Sequence, residues 1–282
     1  MTPASKLRAQ EARRRFAALV EQPEAAIDLT HASLLIAAEE EPSFEVEHYR
    51  ALLYEMGMEA RARVAQDQSA PVQMLNQFMF EELGFRGNQD NYYDPRNSLL
   101  NYVLARRTGI PITLSVVYMD IGRRAGLQVE GVGLPGHFIV RARMGSAEPV
   151  LVDPFHGKTV NEDECQQRLD TVYGGQVPLS EEHLRAATTR EILVRMLRNL
   201  KGVYAQAQLY RRSLAVVERI LMLVPQARDE RRDYGLLLAQ VHRLPEALAE
   251  LQAYLRLAPH APDADSVREQ LKKLRIQLAM LN

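Results

Sequence analysis

Gly136-His137-Phe138-Ile139-Val140-Arg141-Ala142-Arg143 runs into Met144-Gly145-Ser146 and then, after two further residues, into Pro149-Val150-Leu151-Val152-Asp153. Both flanks are rich in β-branched and apolar residues, and the glycine between them suits a reversal, so the stretch predicts an antiparallel hairpin. With residues 144–146 as the loop, His137 opposes Asp153, Phe138 opposes Val152 and Val140 opposes Val150. Directly opposed side chains share a face with Cβ atoms roughly 4.5–5.5 Å apart, near enough for a carboxylate to orient an imidazole. The other face is then apolar, which fixes the register, and a slip of one residue would separate the pair. Gly131, Gly133, Pro135 and Gly136 leave little side-chain bulk ahead of His137, as a site approached by a ligand needs. The alternative is a buried His-Asp pair that serves structure only.

Upstream, Asp94-Pro95 supplies an N-cap and the residue favoured at the first helical position, and Leu99, Leu100, Val103 and Leu104 recur at helical spacing. Thr108-Gly109 ends that helix. Pro111 opens another, and Ile112, Leu114, Val116, Val117, Met119 and Ile121 make it apolar on nearly every side until Gly126 stops it. A helix apolar all round belongs at the centre of a domain. A central helix whose N-terminus faces a His-Asp pair is the arrangement that activates a thiolate, because the positive end of the helix dipole lowers a thiol pKa. Here that position reads Gly109-Ile110-Pro111.

In order and spacing, Gly109-Ile110-Pro111, Gly126-Leu127, Gly136-His137-Phe138 and Asp153-Pro154 resemble the Gly-x-Cys, Gly, His-x-aromatic and Asp-Pro signature of transglutaminase-like cores. The longer runs Phe80 to Asn88, Tyr92 to Ser98, Arg107 to Thr113 and Gly131 to His137 resemble the bacterial SirB family. That family joins a transglutaminase-like core to C-terminal tetratricopeptide-like repeats, and the resemblance covers nearly the whole chain. It implies an α+β fold: a mostly helical, papain-like core with a small antiparallel sheet, then an all-α repeat domain. Carried over by position, the general base falls on His137, its orienting acid on Asp153 and the nucleophile on Pro111, which has no nucleophilic side chain. The hydroxyls of Thr113 and Ser115 lie close in sequence. They are either atypical nucleophiles or ordinary members of a buried helix.

Cys165, the single thiol, follows Asn161-Glu162-Asp163-Glu164, an N-cap and acidic first turn that work against thiolate formation. It reads as a plain helix residue, and one cysteine excludes an internal disulfide and a multi-cysteine zinc site. His156 could reach the rim of the site. With no further ligand spacing around His137, Asp153 and His156, neither a metal nor another cofactor is expected.

Four N-terminal helices are expected, Leu7 to Val20, Ile27 to Glu40, Val46 to Ala65 and Val72 to Leu83, packed around the central helix and hairpin. Tyr173-Gly174-Gly175 with Pro178 is the clearest break, dividing the chain into domains 1–175 and 176–282. Beyond it a 34-residue offset aligns Leu200 with Tyr234, Tyr204 with Leu238, Leu214 with Leu248, Leu221 with Leu255 and Pro225 with Pro259, the tetratricopeptide period. A last helix, Ser266 to Leu281, would cap the open end. Such helix pairs bind a protein or peptide partner, or else simply extend the core. Arg195, Arg198, Lys201, Arg211, Arg212 and Arg219 make the first pair basic, which suggests an acidic partner segment.

With 35 basic and 36 acidic residues in 282, no global charge draws the chain to nucleic acid. The basic first helix, with Lys6, Arg8, Arg13, Arg14 and Arg15, reads as a solvated face. No secretion signal pattern and no run near the roughly 20 apolar residues of a membrane span is present, so a cytoplasmic protein is expected. Two functions remain: a non-catalytic transglutaminase-like binding or regulatory module, or a hydrolase or acyl transferase acting on peptide or amide bonds through His137, Asp153 and a Thr or Ser nucleophile.

Overall fold

The computed structural model describes residues 2–280 of the chain. Its first helix, α1 (Pro3–Val20), starts where the Thr2 side chain accepts the Ser5 amide, and α2 (Leu29–Glu40) starts where Asp28 accepts that of His31, both satisfying otherwise orphaned donors. α3 (Val46–Val64) and α4 (Pro71–Asn76) follow, and α4 runs on as a wider π-type turn through Glu82. The chain then forms β1 (Arg86–Gly87) and, after the loop to Asp94, a 3-10 turn over Pro95–Ser98.

Here one expectation is corrected. Asp94 does cap, accepting the Arg96 amide, but the turn ends at Leu99, which is extended, and α5 (Leu100–Arg106) begins afresh. The cause lies in Asn97: its backbone carbonyl is taken by the Thr113 hydroxyl at 2.8 Å, and its side-chain amide donates to the Asn91 and Tyr92 carbonyls. A helix running through this point would sacrifice those bonds. α5 stops at Arg107, whose φ of 55° is left-handed, and β2 (Thr108–Gly109) lies parallel to β1.

α6 (Pro111–Arg124) is central, as its all-round apolarity predicts. It is buried from Pro111 through Met119 and packs against α2, α3, α5, β1 and β2. It also packs against two strands of an antiparallel meander, β3 (Gln128–Val132) and β4 (Ile139–Arg143), which continues as β5 (Val150–Asp153) and β6 (Lys158–Val160) in that spatial order. The hairpin register differs from the expected one. Val140 opposes Val152 and Ala142 opposes Val150, because the connection takes all of 144–149. The displacement is an even number of positions, so every side chain keeps its face.

α7 (Glu162–Tyr173) carries the capping box of Asn161 with Glu164, and the short α8 (Glu181–Leu184) and long α9 (Thr189–Gln206) complete the first half. The chain divides into two compact units, Met1–Met196 and Leu197–Asn282, the division falling inside α9.

In the second unit α10 (Tyr210–Leu223), α11 (Arg228–Gln240), α12 (Leu244–Leu257) and α13 (Ala264–Ala279) follow. The 34-residue period is repeated in the backbone itself. Left-handed Gln208 and His242, at φ 57° and 62°, sit one period apart. So do the closing bonds from the Leu209 amide to the Tyr204 carbonyl and from the Arg243 amide to the Leu238 carbonyl. Leu214, Val217, Leu238, Ala247, Leu251, Tyr254, Val267 and Leu271 form its core. Leu281, expected to end the last helix, lies outside the described residues. Among the described residues no helix is long and apolar enough to cross a membrane.

Candidate functional site

Asp153 ends β5 with its side chain fully buried. Its Oδ1 accepts the backbone amides of Phe155 at 3.0 Å and His156 at 3.3 Å, so the other oxygen is fixed in direction. Onto that Oδ2 converge His137 Nε2 at 2.9 Å, His156 Nδ1 at 2.7 Å and an Arg168 terminal nitrogen at 2.6 Å. Burial by itself would raise the Asp153 pKa. The hydrogen bonds and charge of His137, and then of His156, outweigh that and hold the carboxyl well below the usual carboxylate range. An ionised carboxylate only accepts, so the His137 nitrogen that faces it, Nε2, is the one that carries a proton.

His137 lies outside β4, on a turn closed by its own amide to the Leu134 carbonyl. Gly136 precedes it with a φ of 70°, a conformation that few residues but glycine adopt freely. Arg195 clamps this turn by donating to the carbonyls of Leu134 and His137, each at 2.7 Å, with its guanidinium over the Phe138 ring. His156 is brought back by a tight turn in which the Gly157 amide meets the Asp153 carbonyl.

An aromatic wall flanks the imidazoles. The Phe155 ring stands perpendicular to that of His137, their centroids 6.2 Å apart, and packs on His156 and Tyr92. Its ring lies so close over Gly87 that a Cβ there would sit 2.6 Å from it. Tyr92 and Tyr93 are exposed, held on a loop whose anchor is fully buried Asn97, itself bonded by Asn88 at 3.0 Å.

The two hydroxyls considered as nucleophiles are elsewhere engaged or silent. Thr113 Oγ1 accepts the Ile110 amide and lies 2.8 Å from the Asn97 carbonyl and 3.1 Å from that of Ile110. Ser115 is fully buried and its Oγ makes no hydrogen bond. Neither is hydrogen-bonded to His137. Pro111 is the first residue of α6. Cys165 is buried, and burial first, then the acidic side chains beside it, push its thiol up against the opposing pull of Arg168.

Sequence reasoning missed Arg168 and the aromatic wall. Arg168 had a signal: with Cys165 and Leu169 it occupies the inward stripe of α7 at helical spacing, an odd place for a cation without a partner. Asp94, besides capping the 3-10 turn, pairs with Arg96 at 2.7 Å and Arg106 at 3.4 Å. The basic face expected on the repeats is largely spent. Arg195 is engaged as above, Arg198 and Lys201 pair with buried Glu230 and Lys201 also with Asp233, and Arg219 is buried.

Residues 47–198 match the family model of the transglutaminase-like superfamily, and residues 200–272 match a tetratricopeptide-repeat model. A UPF0162 protein of Xylella fastidiosa is 38% identical over 254 residues, covering 88% of this chain and 90% of its own. The chain belongs to the UPF0162 family. A UPF0162 protein of Vibrio cholerae is 26% identical over 251 residues, covering 88% of this chain and 93% of its own. Human F-box only protein 21 is 29% identical over 202 residues, which is 63% of this UPF0162 chain and 30% of the human protein. No solved structure matches this chain. The order of domains in this UPF0162 protein, transglutaminase-like core and then tetratricopeptide repeats, is the one that the SirB resemblance implied.

Proposed function

We propose that this UPF0162 protein is a non-catalytic, transglutaminase-like binding or regulatory protein of the cytoplasm, a pseudoenzyme that engages a protein or peptide partner through its helical repeats. The observation that carries the reading is Pro111 at the start of α6, where a thiol would need to stand to profit from the helix dipole. It is supported by Thr113, whose hydroxyl is committed to backbone groups, and by Ser115, sealed in the interior. A hydroxyl nucleophile needs a base within hydrogen-bond reach, and neither residue has one.

Two measurements test it. An acyl-directed probe such as a fluorophosphonate is expected to leave the intact chain unlabelled. Labelling of Thr113 or Ser115 that disappears in His137→Ala would establish the hydrolase or acyl-transferase reading instead. Partner capture is best compared between the wild type and Arg211→Glu/Arg212→Glu, two exposed positions on α10. Cutting the chain at the proposed domain junction near Gly175 is a poorer test, because it would also remove the Arg195 clamp. A partner lost with the charge reversal supports recognition by the repeats, whereas one retained there but lost in His137→Ala moves recognition to the core.

A further inference from the structure

We infer that His137, Asp153 and His156 form a binding site for a divalent transition-metal ion of the zinc class, and that the Arg168 guanidinium holds the ion's place on the carboxylate when no ion is bound. This goes beyond the binding-module reading and does not rest on it.

The donor set is the first argument. One ligand atom from each of the three residues lies within 4.8 Å of the other two. Two imidazole nitrogens with one carboxylate oxygen suit zinc, cobalt or ferrous iron, and offer too few oxygens for calcium or magnesium. Three protein ligands with a further position free for water or a small ligand match the open rather than the closed structural type of zinc site.

The surroundings are the second. Metal-binding carboxylates are oriented by hydrogen bonds to their non-ligating oxygen, and the amides of Phe155 and His156 do this for Asp153 Oδ1. His137 is likewise fixed from behind, its carbonyl gripped by Arg195. The site also has an entry side: the His156 side chain is 38% exposed and that of Arg168 25%, while Asp153 is sealed. Bonds of about 2.0–2.2 Å place tetrahedral ligand atoms roughly 3.3 Å apart. The two nitrogens, now 2.9 and 2.7 Å from Oδ2 and within 4.8 Å of one another, must spread from the oxygen and close on each other, a shift that the exposed His156 ring can supply.

Loading requires two exchanges. The imidazole nitrogens that now donate to Oδ2 must present lone pairs, so each ring moves its proton to its other nitrogen or releases it to solvent. Arg168 must also leave Oδ2, since a guanidinium and a dication cannot share one oxygen. Competition with Arg168 therefore distinguishes a metal site from a mere hydrogen-bond network.

The 282-residue chain, stripped with chelator, is titrated with zinc(II) by calorimetry and with cobalt(II) by visible absorption. One ion per chain is expected, with affinity lowered at least tenfold in His156→Ala and in His137→Ala and raised several-fold in Arg168→Gln. His156 is peripheral, so its variant keeps the core and decides the matter even if His137→Ala fails to fold. The absence of stoichiometric uptake would overturn the proposal. So would uptake that His156→Ala leaves unchanged, or that Arg168→Gln weakens.

Discussion

His137 Nε2 meets Asp153 Oδ2 at 2.9 Å, and this one oxygen is shared with His156 and Arg168. A single buried carboxylate thus ties together the turn after β3, the end of β5, the turn before β6 and helix α7. It serves as a fastening for four segments as well as an orienter of one imidazole. Because the side chains that meet its Oδ2 are cations or potential cations, its loss leaves them short of an acceptor rather than merely loosening a contact.

Asp153→Asn is therefore expected to destabilise the first unit by about 3 kcal/mol, the low end of the cost of stripping one partner from a buried ion pair, since Arg168 and His156 can partly reach water. The measurement is urea unfolding at neutral pH. The repeat unit, which holds none of these groups, should keep its own transition. A loss under about 1 kcal/mol would mean that the partners find replacements and that the fastening is weak.

The same carboxylate sets the acid limit. Its folded pKa lies below the unfolded value near 3.9, so the unfolded chain binds more protons and stability rises with pH in that window. The contribution is complete above roughly pH 4 to 5 and is lost as pH falls toward the folded pKa. Glu191 acts in the same sense, drawn down to about 2 by its hydrogen bond with Arg185. Urea midpoints should fall steeply below about pH 4.5, with a shallower fall in Asp153→Asn. Equal slopes in both proteins would exclude Asp153 as a source of the acid sensitivity.

How far the sequence reached depended on whether local or distant chemistry ruled. The apolar run from Ile112 to Ile121 made α6 central because no other placement buries it. The 34-residue period survived into the left-handed turns at Gln208 and His242 because each turn is set by its own few residues. The hairpin pairing did not, because nothing in 144–149 announces a longer connection than Met144-Gly145-Ser146. His137 and Asp153 meet all the same, since an even displacement preserves the face and Arg195 holds the His137 turn in place. Leu99 breaks a helix that its neighbours favour, because Asn97 is claimed by Thr113 and by the carbonyls of Asn91 and Tyr92, bonds made across a loop and between helices. The convergence of His156 and Arg168 on Asp153 joins residues from a turn and a helix, and only the inward stripe of α7 hinted at the second.

Cys165 gives a kinetic test of the site's dryness. The thiol is fully buried, and burial raises its pKa, so both access and thiolate fraction oppose reaction. Native protein should resist a disulfide reagent such as dithionitrobenzoate at pH 8, releasing one equivalent only on unfolding. Arg168→Gln removes a neighbouring charge that pulls the pKa down, and reaction should become slower still. Rapid labelling of the native chain would place the thiol in an opening segment of α7.

Two glycines on helices of the repeat region should respond in opposite directions to the same change. At Gly202, an exposed position in α9, an added Cβ meets nothing within 4 Å, so Gly202→Ala gains helix propensity alone and should stabilise by up to about 1 kcal/mol. At Gly235 in α11 the added Cβ would sit 2.7 Å from Leu251 Cγ and 3.2 Å from its backbone nitrogen. Leu251 is fully buried in the core that α12 brings to this unit. The side chain cannot swing away without opening that core, and the backbone contact requires α12 itself to retreat. Overpacking of this kind costs about 1–3 kcal/mol, more than the propensity gained, so Gly235→Ala should lower the melting temperature while Gly202→Ala raises it. If both variants gain stability, α11 and α12 stand farther apart in solution than the close approach at Gly235 requires.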